Sequence, residues 1–428
     1  MSRLQRRLNR IDALAVSLGG VIGVGVFFNT GRVLAGTGGL AGATALWLVV
    51  GVVCLAGAVL YADLSARVPE AGGPYAYVRV AFGRRVAFVY GWMNAGVSMP
   101  ARQAGTIAIA GHLLSTWLPV NERALAVGVL VVLAGINLLG VRAGAITQRV
   151  LTAGKLGTIA LVIGLAIWLA CSGAPAATGA VPAVSFGLAV SACWYTYLGW
   201  QDVVLLAEEL RQPRRDLPVV LIGTVGLTMV IYLAIHLAVY AALGGGAEAY
   251  SDLPARVIAG HVLGAFGLSL LTVLTLASTL GGSAESMMVR PRVAMALARD
   301  GLAPSPIAAI DRAGTPYGAI VFHAALALAL VASGTYDELL PLLAFAQGFL
   351  GVFETASYFA VRRARPELPT SRFHPWAPLV FIVTNLALCV LTGRAAPRSV
   401  AFALAMLAAI SIVYRLARPR PPASERSS

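Results

Sequence analysis

Charge is scarce in this sequence. Of 428 residues only 12% are Asp, Glu, Lys or Arg, against roughly a quarter in a soluble globular domain. That excludes an ordinary soluble enzyme. A hydrophobic share of 58% and a mean hydropathy of +0.81 exclude a disordered chain. Lysine is almost missing: of 32 basic residues one is a lysine, Lys155. Cysteine is sparse too. Cys54, Cys171, Cys193 and Cys389 lie scattered through or beside apolar runs, and their spacing fits neither a zinc site nor a disulfide framework. No HExxH, GxSxG or Walker sequence occurs, so no metalloprotease, serine hydrolase or ATP-binding chemistry is expected of this chain. The sequence calls for no catalytic residues, no metal and no cofactor.

What the chain has instead is long apolar runs. They lie near 11–30, 40–61, 86–117, 124–141, 150–170, 185–207, 218–243, 262–289, 317–333, 338–361, 376–393 and 399–416. At about 20 residues per membrane span, they predict an all-α membrane protein of twelve transmembrane helices with little left for a soluble domain. The net charge of +14 sits mostly in the short loops, so it speaks of membrane topology and not of nucleic acid. With the N-terminus placed inside, inner segments carry 25 arginines and outer segments 5. This positive-inside bias predicts both termini in the cytoplasm and a multi-pass protein of the inner membrane. The basic start and apolar core of the first run would suit a signal peptide. GGVIGVG interrupts that core, however, and no small-residue cleavage site follows, so a retained span is expected.

Two runs are broken. In the first, Gly19, Gly20, Gly23 and Gly25 fall within seven positions. Each glycine costs about 1 kcal/mol in a helix interior, so the cluster marks either close helix packing or an unwound stretch. The sixth run breaks at Tyr195, Thr196, Tyr197, Gly199, Gln201 and Asp202. The first and sixth runs are matching members of two five-helix halves, and paired breaks of this kind point to a transporter's midplane site. Amides freed at a half-helix N-terminus suit an anion and freed carbonyls a cation, so a zwitterion fits both.

The segments around these breaks resemble the amino acid–polyamine–organocation permeases, especially their L-amino-acid-transporter-like bacterial branch. The resemblance runs over about residues 8–365. It rests on GVGVF at 23–27, EAGGPYAYVRVAFG at 70–83, MPARQ at 99–103, YTYLGW at 195–200, AEELRQPRRDLP at 207–218 and RPRVAMALARDGLAP at 290–304. Val24 and Pro291 depart from the family pattern, where a small polar residue and a serine are usual. The resemblance implies one LeuT-like transmembrane domain over 1–428. Its five-helix inverted repeats would span 11–170 and 185–361, with helices eleven and twelve at 376–416. It also implies carboxylate contacts at Gly23, Val24 and Gly25. Amine contacts would fall on carbonyls near Val21, Ile22, Tyr195 and Leu198, beside Gly199, with Tyr195 as an aromatic gate.

Charged groups inside spans are functional candidates by default. Lys155 lies about 9 Å along its run past Arg149, at the depth of either a functional ammonium or a snorkelling side chain. The resemblance implies that it replaces a sodium ion. Glu285, about 7 Å before Arg290, either meets Lys155 or faces an interfacial arginine. Arg102 lies about 25 Å beyond Arg85, where it either pairs with Glu354 or binds an acidic substrate group. Asp202 falls after the second break. His236 and His323 are expected as packing residues.

The function expected is a secondary permease for L-amino acids, sodium-independent, working by proton symport or exchange. Its partners are then a small amino acid, the bilayer and protons; oligomeric state is not legible. A polyamine or organic-amine transporter of the same fold and a non-transporting amino-acid sensor are the alternatives.

Overall fold

A computed structural model describes residues 4–23, 25–173, 184–251, 253–333, 336–368, 371–395 and 397–417. The chain opens with α1 (Arg10–Val21) and α2 (Gly25–Thr37), then α3 (Leu40–Arg67), α4 (Pro74–Trp92), α5 (Met99–Ser115), α6 (Glu122–Leu138) and α7 (Val141–Cys171). It continues through α8 (Phe186–Tyr197), α9 (Pro213–Leu243), α10 (Pro254–Val289), α11 (Pro291–Arg299), α12 (Tyr317–Ser333), α13 (Tyr336–Ala364), α14 (Trp376–Ala395) and α15 (Pro397–Ala417). Among the described residues there is no β-strand, only a lone bridge between Leu8 and Leu210.

Most of the helices overlap the apolar runs read from the sequence, whereas α11 lies between two of them. Four segments are each long and apolar enough to cross a membrane: α3, Gly144–Cys171, α9 and Pro254–Arg299. The pair α1–α2, bent by 45°, adds a fifth. Shorter apolar helices occupy Tyr317–Ser333, Trp376–Leu391 and Ala403–Leu416. The surface is apolar where a soluble protein would be polar: Val52, Val132, Trp168, Val230, Phe266 and Val383 are all more than half exposed. Charged side chains go inside instead, Arg67, Lys155, Asp202, Glu209, Glu285, Arg290, Arg292 and Glu354 among them. Water would reward the opposite arrangement, so this is a multi-pass membrane protein.

Two departures from regular helix position the site. Between α4 and α5 the chain makes a π-helical stretch, Met93–Ser98, which turns Asn94 and Met99 toward the same cavity as Arg102. After α8 the chain continues as a 3-10 helix, Trp200–Glu209.

One end of the bundle is rich in arginine and closed by ion pairs. Glu209 takes both a 2.7 Å and a 3.1 Å bond from the Arg292 guanidinium, with both side chains fully buried. Arg299 meets Glu208 at 2.7 Å, Arg79 meets Asp300 at 2.7 Å, and Arg10 meets Asp216 at 2.9 Å. Arg149 pairs with Asp12, the residue that also completes the N-terminal capping box of α1 with Asn9. Tyr75 donates to Asp300 at 2.6 Å, and burial together with that carboxylate raises the Tyr75 phenol well above its usual range, so it stays a donor. Leu8 lies along the segment 209–211, its N–H on the Glu209 carbonyl at 3.0 Å and its carbonyl taking the Arg211 N–H at 3.0 Å.

Candidate functional site

The first break follows from glycine. With Gly19 and Gly20 weakening its last turn, α1 ends at Val21, and Ile22 turns to an extended conformation. A helix end leaves its final carbonyls without intrahelical partners. Here two of them find one from another element. The Gly19 carbonyl accepts from the Lys155 ammonium at 2.6 Å, and the Val21 carbonyl from the Tyr232 hydroxyl at 2.8 Å. The Gly20 carbonyl lies against Gly199. Beyond the break, Gly23 faces open space and Gly25 starts α2 with no acidic residue in its first turn. Val24 lies outside the described residues.

The second break is built the same way. Leu198 is extended and Gly199 takes φ +118°, a left-handed backbone that side chains resist. A Cβ on Gly199 would come 2.5 Å from the Gly20 oxygen, so the two breaks touch main chain to main chain. The Thr196 carbonyl, freed at the end of α8, lies 3.0 Å from the same Tyr232 hydroxyl. That phenol has a single proton, shared between carbonyls of two different broken helices. Asn29 of α2 ties the pieces further, donating to Thr196 Oγ1 at 2.8 Å and to the Ala192 carbonyl at 3.2 Å. Ser17 donates to the Trp200 carbonyl at 3.1 Å.

Lys155 is fully buried, and a glycine in α10 makes room for it: a Cβ on Gly281 would stand 2.7 Å from Lys155 Cε. Glu285 lies on the other side of the same α1 end, its carboxyl carbon 3.0 Å from where a Gly20 Cβ would be. No ion pair joins Lys155 to Glu285, and Glu285 Oε1 has no hydrogen-bond partner among the described residues. The direct Lys155–Glu285 pair allowed by the sequence is therefore not formed, because the ammonium reaches the Gly19 carbonyl instead.

Arg102 does not pair with Glu354. Both Glu354 oxygens are already taken, one by the Tyr61 hydroxyl and one by the Tyr90 hydroxyl. Arg102 forms no ion pair among the described residues; it lines a cavity of about 30 Å³ with Asn94, Gln201, Asp202 and Glu354. Asp202 in turn is held by Arg290, whose Nε and Nη2 both lie 3.1 Å from one carboxylate oxygen. Tyr195 is 54% exposed, whereas the neighbouring Thr196 and Tyr197 are buried. His236 touches Thr44 at 3.2 Å.

The structure thus draws Val21, Ile22, Gly23, Gly25, Leu198, Gly199, Lys155 and Glu285 around one junction, with Arg102 in the cavity beside it. Sequence reading missed Tyr232, Asn29, Tyr61 and Tyr90. Their only signal was a polar group in or beside an apolar run, which is common enough to carry little information alone.

Residues 8–414 match the amino acid permease family model. The serine/threonine exchanger SteT of Bacillus subtilis is 27% identical over 89% of this chain and 89% of its own length. The human large neutral amino acids transporter small subunit 2 is 26% identical over 86% of this chain and 71% of its own. The human cystine/glutamate transporter is 26% identical over 93% and 82%. Broken helices abutting at two glycines, buried charge within an apolar bundle and a match over nearly the whole length together place this chain in the amino acid permease family.

Proposed function

We propose that the protein moves neutral L-amino acids across the cytoplasmic membrane as a sodium-independent secondary transporter, by exchange or proton symport. The observation that carries this is the junction of the two breaks. Gly23, which faces open space, and the first turn of α2 from Gly25 supply amides for an α-carboxylate. Carbonyls of Val21, Ile22, Tyr195 and Leu198 at the two breaks supply acceptors for an α-amine, Val21 and Tyr195 through the lone pair left beside their bonds from the Tyr232 hydroxyl and the Leu198 N–H. Lys155 takes the place of a sodium ion, its charge bridging the end of α1 to α10. Exchange is favoured by the bacterial serine/threonine exchanger among the relatives. Twelve spans, in two inverted five-helix repeats followed by α14 and α15, and cytoplasmic termini complete the reading.

The test is uptake of labelled L-serine into proteoliposomes, with internal amino acid, sodium and pH gradients imposed separately. Strict sodium dependence would remove Lys155 from its role. Equal competition by decarboxylated amines would move the organic-amine alternative ahead. Topology has its own test in Cys171, free and exposed at the end of α7. A membrane-impermeant maleimide applied to intact cells should label it; protection there combined with labelling in inverted vesicles reverses the orientation.

One observation favours a second reading, an acidic side chain on the substrate: among the described residues the Arg102 guanidinium has no ion-pair partner, beside the break at Gln201 and Asp202. Competition by L-glutamate that disappears in Arg102→Gln would establish it.

A further inference from the structure

Glu354 is a buried carboxylate that neither a cation nor the proposed substrate contacts explain. It sits in α13, about 12 Å along the helix from Arg362 at the arginine-rich end. Its two oxygens accept from Tyr61 of α3 and Tyr90 of α4, so three elements meet at one carboxyl group. The titratable neighbours come from every side. Tyr77 of α4 stacks edge-on against Tyr61 at 6.3 Å, and Cys54 of α3 lines a second small cavity with Glu354. Arg102 and Asp202 line the first cavity, with Asp202 committed to Arg290. From α14 the lining groups are Phe381 and Asn385, which do not titrate.

We propose that Glu354 is a proton-binding site of the transport cycle, separate from Lys155, whose protonation loosens a clamp between α3, α4 and α13. The proposal rests on the permease reading above. Ionised, the carboxylate receives two phenol protons and holds α3 and α4 to α13 by charge-assisted bonds. When a hydronium ion delivers a proton, an O–H bond forms on Glu354 and water leaves. The acid now donates to one phenol oxygen, so that phenol's own hydrogen must turn away, since one contact cannot hold two protons. One of the two bonds reverses and both lose their ionic component. The clamp is weaker protonated than ionised, which is the differential a proton needs to bias a two-state element.

A route for the proton is present. The 30 Å³ cavity that touches Glu354, enough for about two waters, is also lined by Tyr75. Tyr75 donates to Asp300, which is partly exposed at the arginine-rich end and paired there with Arg79.

The test uses the full chain in lipid. Infrared difference spectra between acid and neutral pH should show a protonated-carboxyl band that Glu354→Gln removes. In proteoliposomes, uptake of labelled L-serine should rise several-fold with an inward proton gradient in the wild type and be flat with pH in Glu354→Gln. Tyr61→Phe and Tyr90→Phe each remove one donor to the ionised form, so each should move the midpoint of the band and of uptake up by about one pH unit. These two variants decide the matter if Glu354→Gln does not fold. A band that survives Glu354→Gln, a wild-type uptake indifferent to the gradient, or unmoved midpoints in both phenylalanine variants would overturn the proposal. If no amino acid is transported at all, the permease reading fails, while the infrared arm still reports on Glu354.

Discussion

The Lys155 ammonium lies 2.6 Å from the carbonyl oxygen of Gly19, in a pocket where Gly281 has no side chain to exclude it. The contact joins α7 to the last turn of α1 and brings the sole lysine of the chain to the edge of the first break. Charge-assisted bonds of this kind contribute about 1.5–3 kcal/mol. We predict that Lys155→Ala lowers substrate affinity about tenfold or more, measured by scintillation proximity binding. Lys155→Arg should not rescue it, because the longer, planar guanidinium does not fit the space over Gly281. Gly281→Ala should behave like Lys155→Ala, since its Cβ would displace the lysine. Wild-type binding in all three variants would show that this contact does not shape the site.

Gly199 carries a different prediction. Its φ of +118° and the 2.5 Å approach of a Cβ to the Gly20 oxygen make any side chain costly twice over. Gly199→Ala should destabilise the protein by more than about 2 kcal/mol and abolish binding. Gly226→Ala in α9 is the control: nothing lies near its added methyl, so thermal stability should hold or rise by up to about 1 kcal/mol.

Tyr232 serves two carbonyls with one hydroxyl, at 2.8 Å to Val21 and 3.0 Å to Thr196. Tyr232→Phe keeps the ring and removes only that bridge. We expect a loss of about 1 kcal/mol in unfolding stability and about a fivefold change in substrate affinity. A variant indistinguishable from wild type in both measurements would mean that water serves the two carbonyls equally well.

Asp202 and Arg290 are both buried, so their pair follows the rule for ions away from water. Removing one partner strands the other: Arg290→Ala should cost about 3–5 kcal/mol. The double variant Asp202→Asn with Arg290→Gln should cost clearly less than the sum of the two single changes. In thermal unfolding, strict additivity would show that the two groups act independently.

The outline of the fold was legible because membrane spans obey a simple rule of length and apolarity, and the arginines mark the ends. The breaks were legible for a related reason: glycine clusters such as Gly19–Gly25 are expensive in helices unless the helix stops. Pairings were not legible. Arg102 and Glu354 looked like partners by depth and charge, yet two tyrosines reached the carboxylate. Which of several polar groups at one depth meet depends on helix rotation, and a uniformly apolar span such as α9 carries no face pattern from which rotation can be read. Tyr232 was hidden for the same reason. Lys155 was found because it is the single exception to an arginine-only composition, but its partner, a backbone oxygen, leaves no mark in the sequence.

At Gly20 and Gly199 the two interrupted spans meet without side chains. Where helices pack through side chains, any sliding movement must undo and refreeze rotamers, each worth up to about 2 kcal/mol of conformational entropy. A bare backbone joint carries no such burden. It can act as a greased pivot, with the Tyr232 hydroxyl, bonded to both spans, as the tether that must let go when one rod rolls on the other. Resistance to movement at this contact then comes from hydrogen bonds and not from interlocked rotamers.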